Sequence, residues 1–199
     1  MYCLDSNDEW AIIHEDDLWV YNKLIIAKKS GHLCGPTGVH VLHKGLYVVR
    51  PIFNLLGMGR NARIEWIDDY TDHFHPSEFW CEIFKGQHLS VDFYKKEARL
   101  IVEGERDLSD PLYKWKKWTK IEKDVKFPEI LQNLKGNYDW INCEFIDGKL
   151  IEVHFRQNPD FKYKNSVAYP VWEEKLEKLS EKYRYIEDSD YLRKGFYVD

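Results

Sequence analysis

The sequence predicts an α+β chain built mainly of antiparallel strands with few helices. Three observations carry this. Short runs of β-branched and aromatic residues recur along the chain, bounded by Gly, Pro and Asp-containing turns. The segment 141–158 sets an Asp-Gly pair between two alternating runs, a strong hairpin signal. Helical spacing is confined to a few short stretches.

Taken in order, 21–30 (YNKLIIAKKS) predicts a short helix halted by Gly31, followed by a turn-rich stretch punctuated by Gly and Pro. Strands are predicted at 46–50 (LYVVR), ended by Pro51, and at 62–67 (ARIEWI), with the Gly-containing loop 54–61 between them. A polar loop, 68–77, leads to a strand over 78–84, a turn at Lys85-Gly86, and strands at 89–94 (LSVDFY) and 99–103 (RLIVE). The aromatic-rich run 112–121 predicts a strand. The run 127–134 carries helical spacing with Pro128 in its first turn, where proline is tolerated. Strands at 140–146 and 150–155 form the clearest pair. The segment 172–183 (WEEKLEKLSEKY) predicts an amphipathic helix with Trp172, Leu176 and Leu179 on one face, and 195–198 a last strand.

Composition bounds the function. The 199 residues include 29 Lys+Arg against 34 Asp+Glu, a net charge of −5. That argues against a dedicated duplex-DNA binder, which carries a basic excess. Aromatics at 16%, with eight Trp, argue against disorder. The four cysteines, Cys3, Cys34, Cys81 and Cys143, show no zinc-finger spacing, so reduced thiols and a cytoplasmic location are expected. The acidic N-terminus has no apolar core of a signal peptide, and no apolar run is long enough to span a membrane. His73 and His75 are spaced for a metal on a strand but lack an evident third ligand. Trp115 and Trp118, interleaved with lysines over 113–126, offer an alternative reading as a stacking surface for single-stranded nucleic acid. The dilution of that run by Glu122 and Asp124 makes a nucleic-acid partner the weaker expectation.

The hairpin 141–158 carries the chemistry. Alternation puts Ile141, Cys143 and Phe145 on one face with Ile151, Val153 and Phe155. The other face takes Asn142 and Glu144, with Glu152, His154 and Arg156. A two-residue turn in regular register would oppose Cys143 to Glu152 and spoil the pattern. A three-residue loop over 147–149, or an equivalent bulge, opposes Glu144 to Glu152 and Asn142 to His154, as burial of one face requires. Opposed like charges are destabilising. A divalent cation would offset them, because hard carboxylate oxygens suit Mg²⁺, and Arg156 on the same face suits a phosphate oxygen.

The order of these pieces resembles the ATP-grasp superfamily. In that family the last metal-binding hairpin runs from an acidic residue through a Gly-containing turn to Glu-x-Asn, often with Arg two further on. Here Glu144, Asp147-Gly148, Glu152-Val153-His154 and Arg156 follow that order. His154 stands where Asn is usual, and Asn158 is the substitute amide ligand. YNKLIIAKKS resembles the family's opening Asp-Lys helix, with Asn22 in place of Asp and Lys23 or Lys28 as its phosphate-binding cation. LYVVRP resembles the strand ending in Lys-Pro, with Arg50 supplying the charge. NLLGMGRN, with Gly57 and Gly59, resembles the Gly-rich loop over the phosphates. FWCEIFKGQHLSVDFY resembles the linker between lobes, with Glu82 near the adenine and His88 where a ribose-contacting Glu is common.

The resemblance implies an ATP-grasp-like α+β fold of two small lobes, about 21–80 and 81–199, forming one core over 1–199. It implies an ATP- and Mg²⁺-dependent ligase that joins a small-molecule or peptide carboxylate to an amine, or another nucleophile, through an acyl phosphate. Glu144, Glu152, His154 and Asn158 would hold Mg²⁺. Lys23, Lys28, Arg50, Gly57, Gly59, Glu82 and His88 would hold ATP, and Arg156 would be catalytic. The family's separate N-terminal substrate domain has no counterpart before Tyr21, so the acceptor is expected to bind elsewhere, to come with a protein partner that supplies such a domain, or to be absent. A nucleotide-binding module without catalysis is the other reading of the same resemblance.

Overall fold

The computed structural model describes residues 10–53, 59–107, 109–161, 165–172, 181–190 and 192–199. Two antiparallel sheets organise them. The smaller runs β1 (Cys34–Pro36), β4 (Glu78–Cys81), β2 (Gly45–Pro51), β3 (Arg63–Ile67). The larger runs β11 (Arg184–Asp190), β12 (Arg193–Val198), β10 (Val167–Trp172), β7 (Lys117–Lys120), β6 (Glu97–Glu105), β5 (His88–Tyr94), β8 (Trp140–Ile146), β9 (Lys149–His154).

One short helix, α1 (Lys23–Lys29), packs against β9. The Asn22 side chain caps it by accepting from the Ile25 N–H at 3.0 Å. Lys28 and Lys29 fill its last turn, where cations favour the helix dipole. Gly31, at φ +73°, ends it in the left-handed region. A 3-10 turn, Glu15–Tyr21, precedes α1 and delivers Val20 and Tyr21 to the core.

The main core covers one face of the large sheet. Leu89, Val91, Phe93, Cys143, Phe145 and Val153 alternate inward and meet Val20, Ile26, Leu131 and Phe155. The opposite face is divided. Towards β12 it is apolar, with Val102, Trp118, Ala168, Phe196 and Val198 packed on Phe161. Over β5, β8 and β9 it is polar and still buried.

Two expectations need correction, and a third falls mostly outside the described residues. The run 127–134 yields only the 3-10 turn Glu129–Leu131. Pro128 removes a backbone donor and restricts Phe127, and the stretch is too short to hold a helix against its own nucleation cost. Phe127, Ile130 and Leu134 pack on the main core from an irregular chain instead. The strand over 112–121 shortens to β7, because Pro111 begins a turn closed by the Lys114 N–H on the Pro111 carbonyl at 2.9 Å. Of the helix expected over 172–183, Trp172 is the last residue of β10, and 173–180, with Leu176 and Leu179, lie outside the described residues.

Candidate functional site

The β8–β9 hairpin produces the expected pairing by the bulge rather than by the longer loop. Asp147 (φ +51°) and Gly148 (φ +74°) make a two-residue turn, pairing Ile146 with Lys149 and Phe145 with Leu150. Ile151 is then the extra residue. The ladder resumes with Glu144 opposite Glu152 and Asn142 opposite His154. The neighbouring strand β5 continues the same face: Ser90 lies opposite Glu144, and Asp92 opposite Asn142. The result is a polar floor on the three strands at one end of the large sheet, with Ser90, Asp92, Asn142, Glu152 and His154 all buried.

Each glutamate of the hairpin has a basic side chain beside it. Lys23 reaches from α1 to place Nζ 3.2 Å from Glu152 Oε2, and it is only 3% exposed. His154 Nε2 lies 3.1 Å from Glu152 Oε1. Burial alone would push the Glu152 carboxyl up. Lys23, His154 and Arg50 outweigh that and hold it well below the usual carboxylate range. Burial pushes the Lys23 ammonium down, and Arg50 adds to this against the pull of Glu152. On the opposite carboxylate, His88 Nε2 lies 3.3 Å from Glu144 Oε2, with the His88 ring edge-on to Trp115. Arg50 arrives from the small sheet. Its Nη2 donates to the carbonyl of the bulged Ile151 at 2.9 Å, and its guanidinium stands 5.2 Å from the Phe79 ring centroid.

Beyond β9 the chain turns back over the floor. Asn158 donates through Nδ2 to Ser90 Oγ at 2.9 Å and through its backbone N–H to Asp92 Oδ1 at 2.8 Å. Asn142 Nδ2 donates to the same two side chains at 2.8 and 2.9 Å. Asn158 Oδ1 accepts from the Asp160 N–H at 2.7 Å, and Asp160 accepts from the buried Arg193 at 2.6 Å. Burial pushes the Asp92 carboxyl up to about 6, against the two hydrogen bonds and Arg156, which lower it. This network ties the segment carrying Arg156 to the sheet. Arg156 Nη1 donates to the Gln157 carbonyl at 3.0 Å.

The connection between the sheets is clasped. Glu82 accepts from the Leu33 N–H through Oε1 and donates its own N–H to the Leu33 carbonyl, both at 2.9 Å. Lys149 Nζ lies 3.9 Å from Glu82 Oε2. At Gly86 (φ +132°) a Cβ would meet Asp147 Cβ at 2.9 Å, so the connection passes directly against the hairpin turn.

The predicted residues thus divide. Lys23, Glu152 and His154 form one cluster; Glu144, opposite Glu152 on the hairpin, pairs with His88, and Arg50 bonds to the adjacent Ile151 carbonyl. Lys28 is exposed at the end of α1 and takes no part in those contacts. Asn158 belongs to the Ser90–Asp92 network. Glu82 lies at the connection. Gly59 has φ +61° and accepts from the Ala62 N–H at 3.2 Å, and Gly57 lies outside the described residues. Sequence reasoning missed Ser90, Asp92, Asp160 and Arg193. A signal existed for two of them: Ser90 and Asp92 interrupt at alternate positions a strand predicted from its apolar residues.

The competing sites fare differently. His75 Nδ1 pairs with Ser77 Oγ at 2.8 Å and His73 lies 3.8 Å from Asp72, both at the surface. Trp118 is 2% exposed in the core, so it presents no free ring face. No three His, Cys, Asp or Glu side chains form a metal-holding group among the described residues, and no helix among them is long and apolar enough to cross a membrane.

No protein-family model matches the sequence, and no curated protein does. Among solved structures the chain is similar to a crystal structure of an Archaeoglobus fulgidus protein provisionally assigned to the ATP-grasp superfamily. The TM-score is 0.51 at 13% identity, over 90% of this chain. This chain spans 64% of the length of that protein. The fold is ATP-grasp-like.

Proposed function

We propose that the junction of the two sheets binds ATP, and that the chain is an ATP-dependent carboxylate–amine ligase acting through an acyl phosphate. The observation that supports this best is the buried Lys23–Glu152–His154 cluster, flanked by the partly exposed Arg50 and Glu144 and drawn with them from α1, β2, β8 and β9, within an ATP-grasp-like fold. Buried charge is costly unless it is paired, and such concentrations mark functional sites.

The residues fit a divalent ion of one kind. Two opposed carboxylates are too few for an all-protein cage, but Mg²⁺ is commonly held by one or two carboxylates with the rest from substrate phosphates. Glu144 and Glu152 would hold it, and it would neutralise charge on the phosphates. Lys23 and Arg50 would bind the phosphate oxygens, with Arg50 kept in line by the Ile151 carbonyl. Arg156 would stabilise charge on the transferred phosphoryl group. In the first step a carboxylate oxygen of the substrate attacks the γ-phosphorus and ADP departs. In the second the amine attacks the acyl carbon and phosphate departs. Such transfer depends on positioning and electrostatics rather than on a protein nucleophile.

Titration calorimetry with ATP and Mg²⁺ tests the reading. The wild type is expected to bind, and the Glu144→Ala/Glu152→Ala double variant to lose the Mg²⁺-dependent part. A folded wild type that binds no nucleoside triphosphate would sink it. Binding without turnover across carboxylate and amine substrates would favour a nucleotide-binding module, a reading that the engagement of both Glu152 oxygens also favours.

A further inference from the structure

Glu152 is engaged at both of its carboxylate oxygens. One carboxylate oxygen lies against Lys23 and the other against His154, in surroundings where Lys23 is 3% and Glu152 8% exposed. An ammonium and a divalent cation repel, and at this burial solvent screens them little. Lys23 also extends from α1, an element separate from the hairpin that carries both carboxylates. A shift of one side chain therefore suffices to change the partner of Glu152 without disturbing the pairing of Glu144 with Glu152.

We propose that Lys23 is a resident cation that competes with a divalent ion for Glu152: the Lys23–Glu152 pair holds the metal position shut, and anionic phosphate opens it by drawing Lys23 away. This rests on the reading of the junction as a nucleotide site. The pair makes metal and nucleotide binding mutually supportive, since each removes a partner from the other's ion pair, and such coupling is reciprocal.

The test uses Mn²⁺ alone, read by paramagnetic resonance of the free ion and by thermal shift, on the whole chain without nucleotide. Wild type is expected to bind Mn²⁺ weakly. Lys23→Met leaves Glu152 buried without its ammonium, so Mn²⁺ should bind at least about tenfold tighter and raise the melting temperature of the variant more than that of wild type. Lys23→Gln keeps a hydrogen-bonding side chain without the charge and should shift the same way, which guards against poor folding of Lys23→Met. Lys23→Arg should restore weak binding, and Lys23→Gln/Glu152→Gln should abolish the gain. Mn²⁺ affinity unchanged in both neutral variants overturns the proposal, as does wild-type binding already as tight as theirs. ATP binding by wild type, measured separately, reports on the nucleotide reading, so the two failures are distinguishable.

Discussion

Asp92 is a carboxyl group on a central strand, and its environment works against its charge. Folding raises its pKa from an ordinary 3.8 to about 6. The folded chain therefore holds this proton to higher pH than the unfolded chain does. The associated stability is complete below the unfolded value and is lost as pH rises through about 6. At ~1.4 kcal/mol per unit the full effect is about 3 kcal/mol. Asp92→Asn keeps an oxygen to accept from Asn142 and Asn158 but cannot ionise. Relative to wild type, the variant should gain up to about 3 kcal/mol between pH 4 and pH 7 in chemical denaturation. An equal wild-type-to-variant difference at both pH values would contradict this. Glu152 has the opposite sign. Its folded pKa is depressed, so its contribution is present above the ordinary carboxylate range and fades as pH falls below it.

At the scale of elements, α1 and the β8–β9 hairpin carry the junction. Asn22→Ala removes the α1 cap and should cost about 1 kcal/mol. Because α1 positions Lys23, ATP affinity should fall more than this loss of stability alone explains; parallel calorimetry and denaturation would show whether it does. Gly86→Ala adds a Cβ against Asp147 at a positive φ and should destabilise by about 1–3 kcal/mol. An unchanged melting temperature would mean that the turn can move away.

How far these elements could be read from the sequence differs for physical reasons. The hairpin was legible because an Asp-Gly turn and strict alternation permit one burial pattern, although the sequence left open how the register would be reached. Strand β10 was not legible, because Pro170 sits inside it. Proline is accommodated there since β10 pairs with β7 only at Val167 and Ala168, so no ladder donor is missed on that side. Strand β11 was hidden by its acidic composition, which suits a strand at the rim of a sheet. Of the site, Glu144 opposite Glu152 was legible from period two combined with the burial of one face. The reach of Lys23 to Glu152 is a contact between distant segments, which local patterns do not encode.

For the molecule as a whole, the two sheets meet where charge is concentrated. Arg50 belongs to the small sheet yet bonds to β9 of the large one. Arg50→Met keeps much of the side chain's bulk over Phe79 while losing the donor. The expected result is a modest change in unfolding midpoint but a clear reduction in the stabilisation that ATP confers. A full ATP-induced thermal shift in this variant would remove Arg50 from the ligand-binding set.

The bulge at Ile151 has a consequence for how this chain could vary in length. Within a strand, losing one codon ordinarily turns every later side chain inside out. Here the loss of Ile151 would do the reverse: with Phe145 opposite Leu150, the next regular pair would again be Glu144 with Glu152, and the alternation beyond it would be preserved. What would vanish is the carbonyl that receives Arg50. A one-residue deletion at this position should therefore leave a foldable sheet with its bridge to the other sheet cut, separating inheritance of the fold from inheritance of the site.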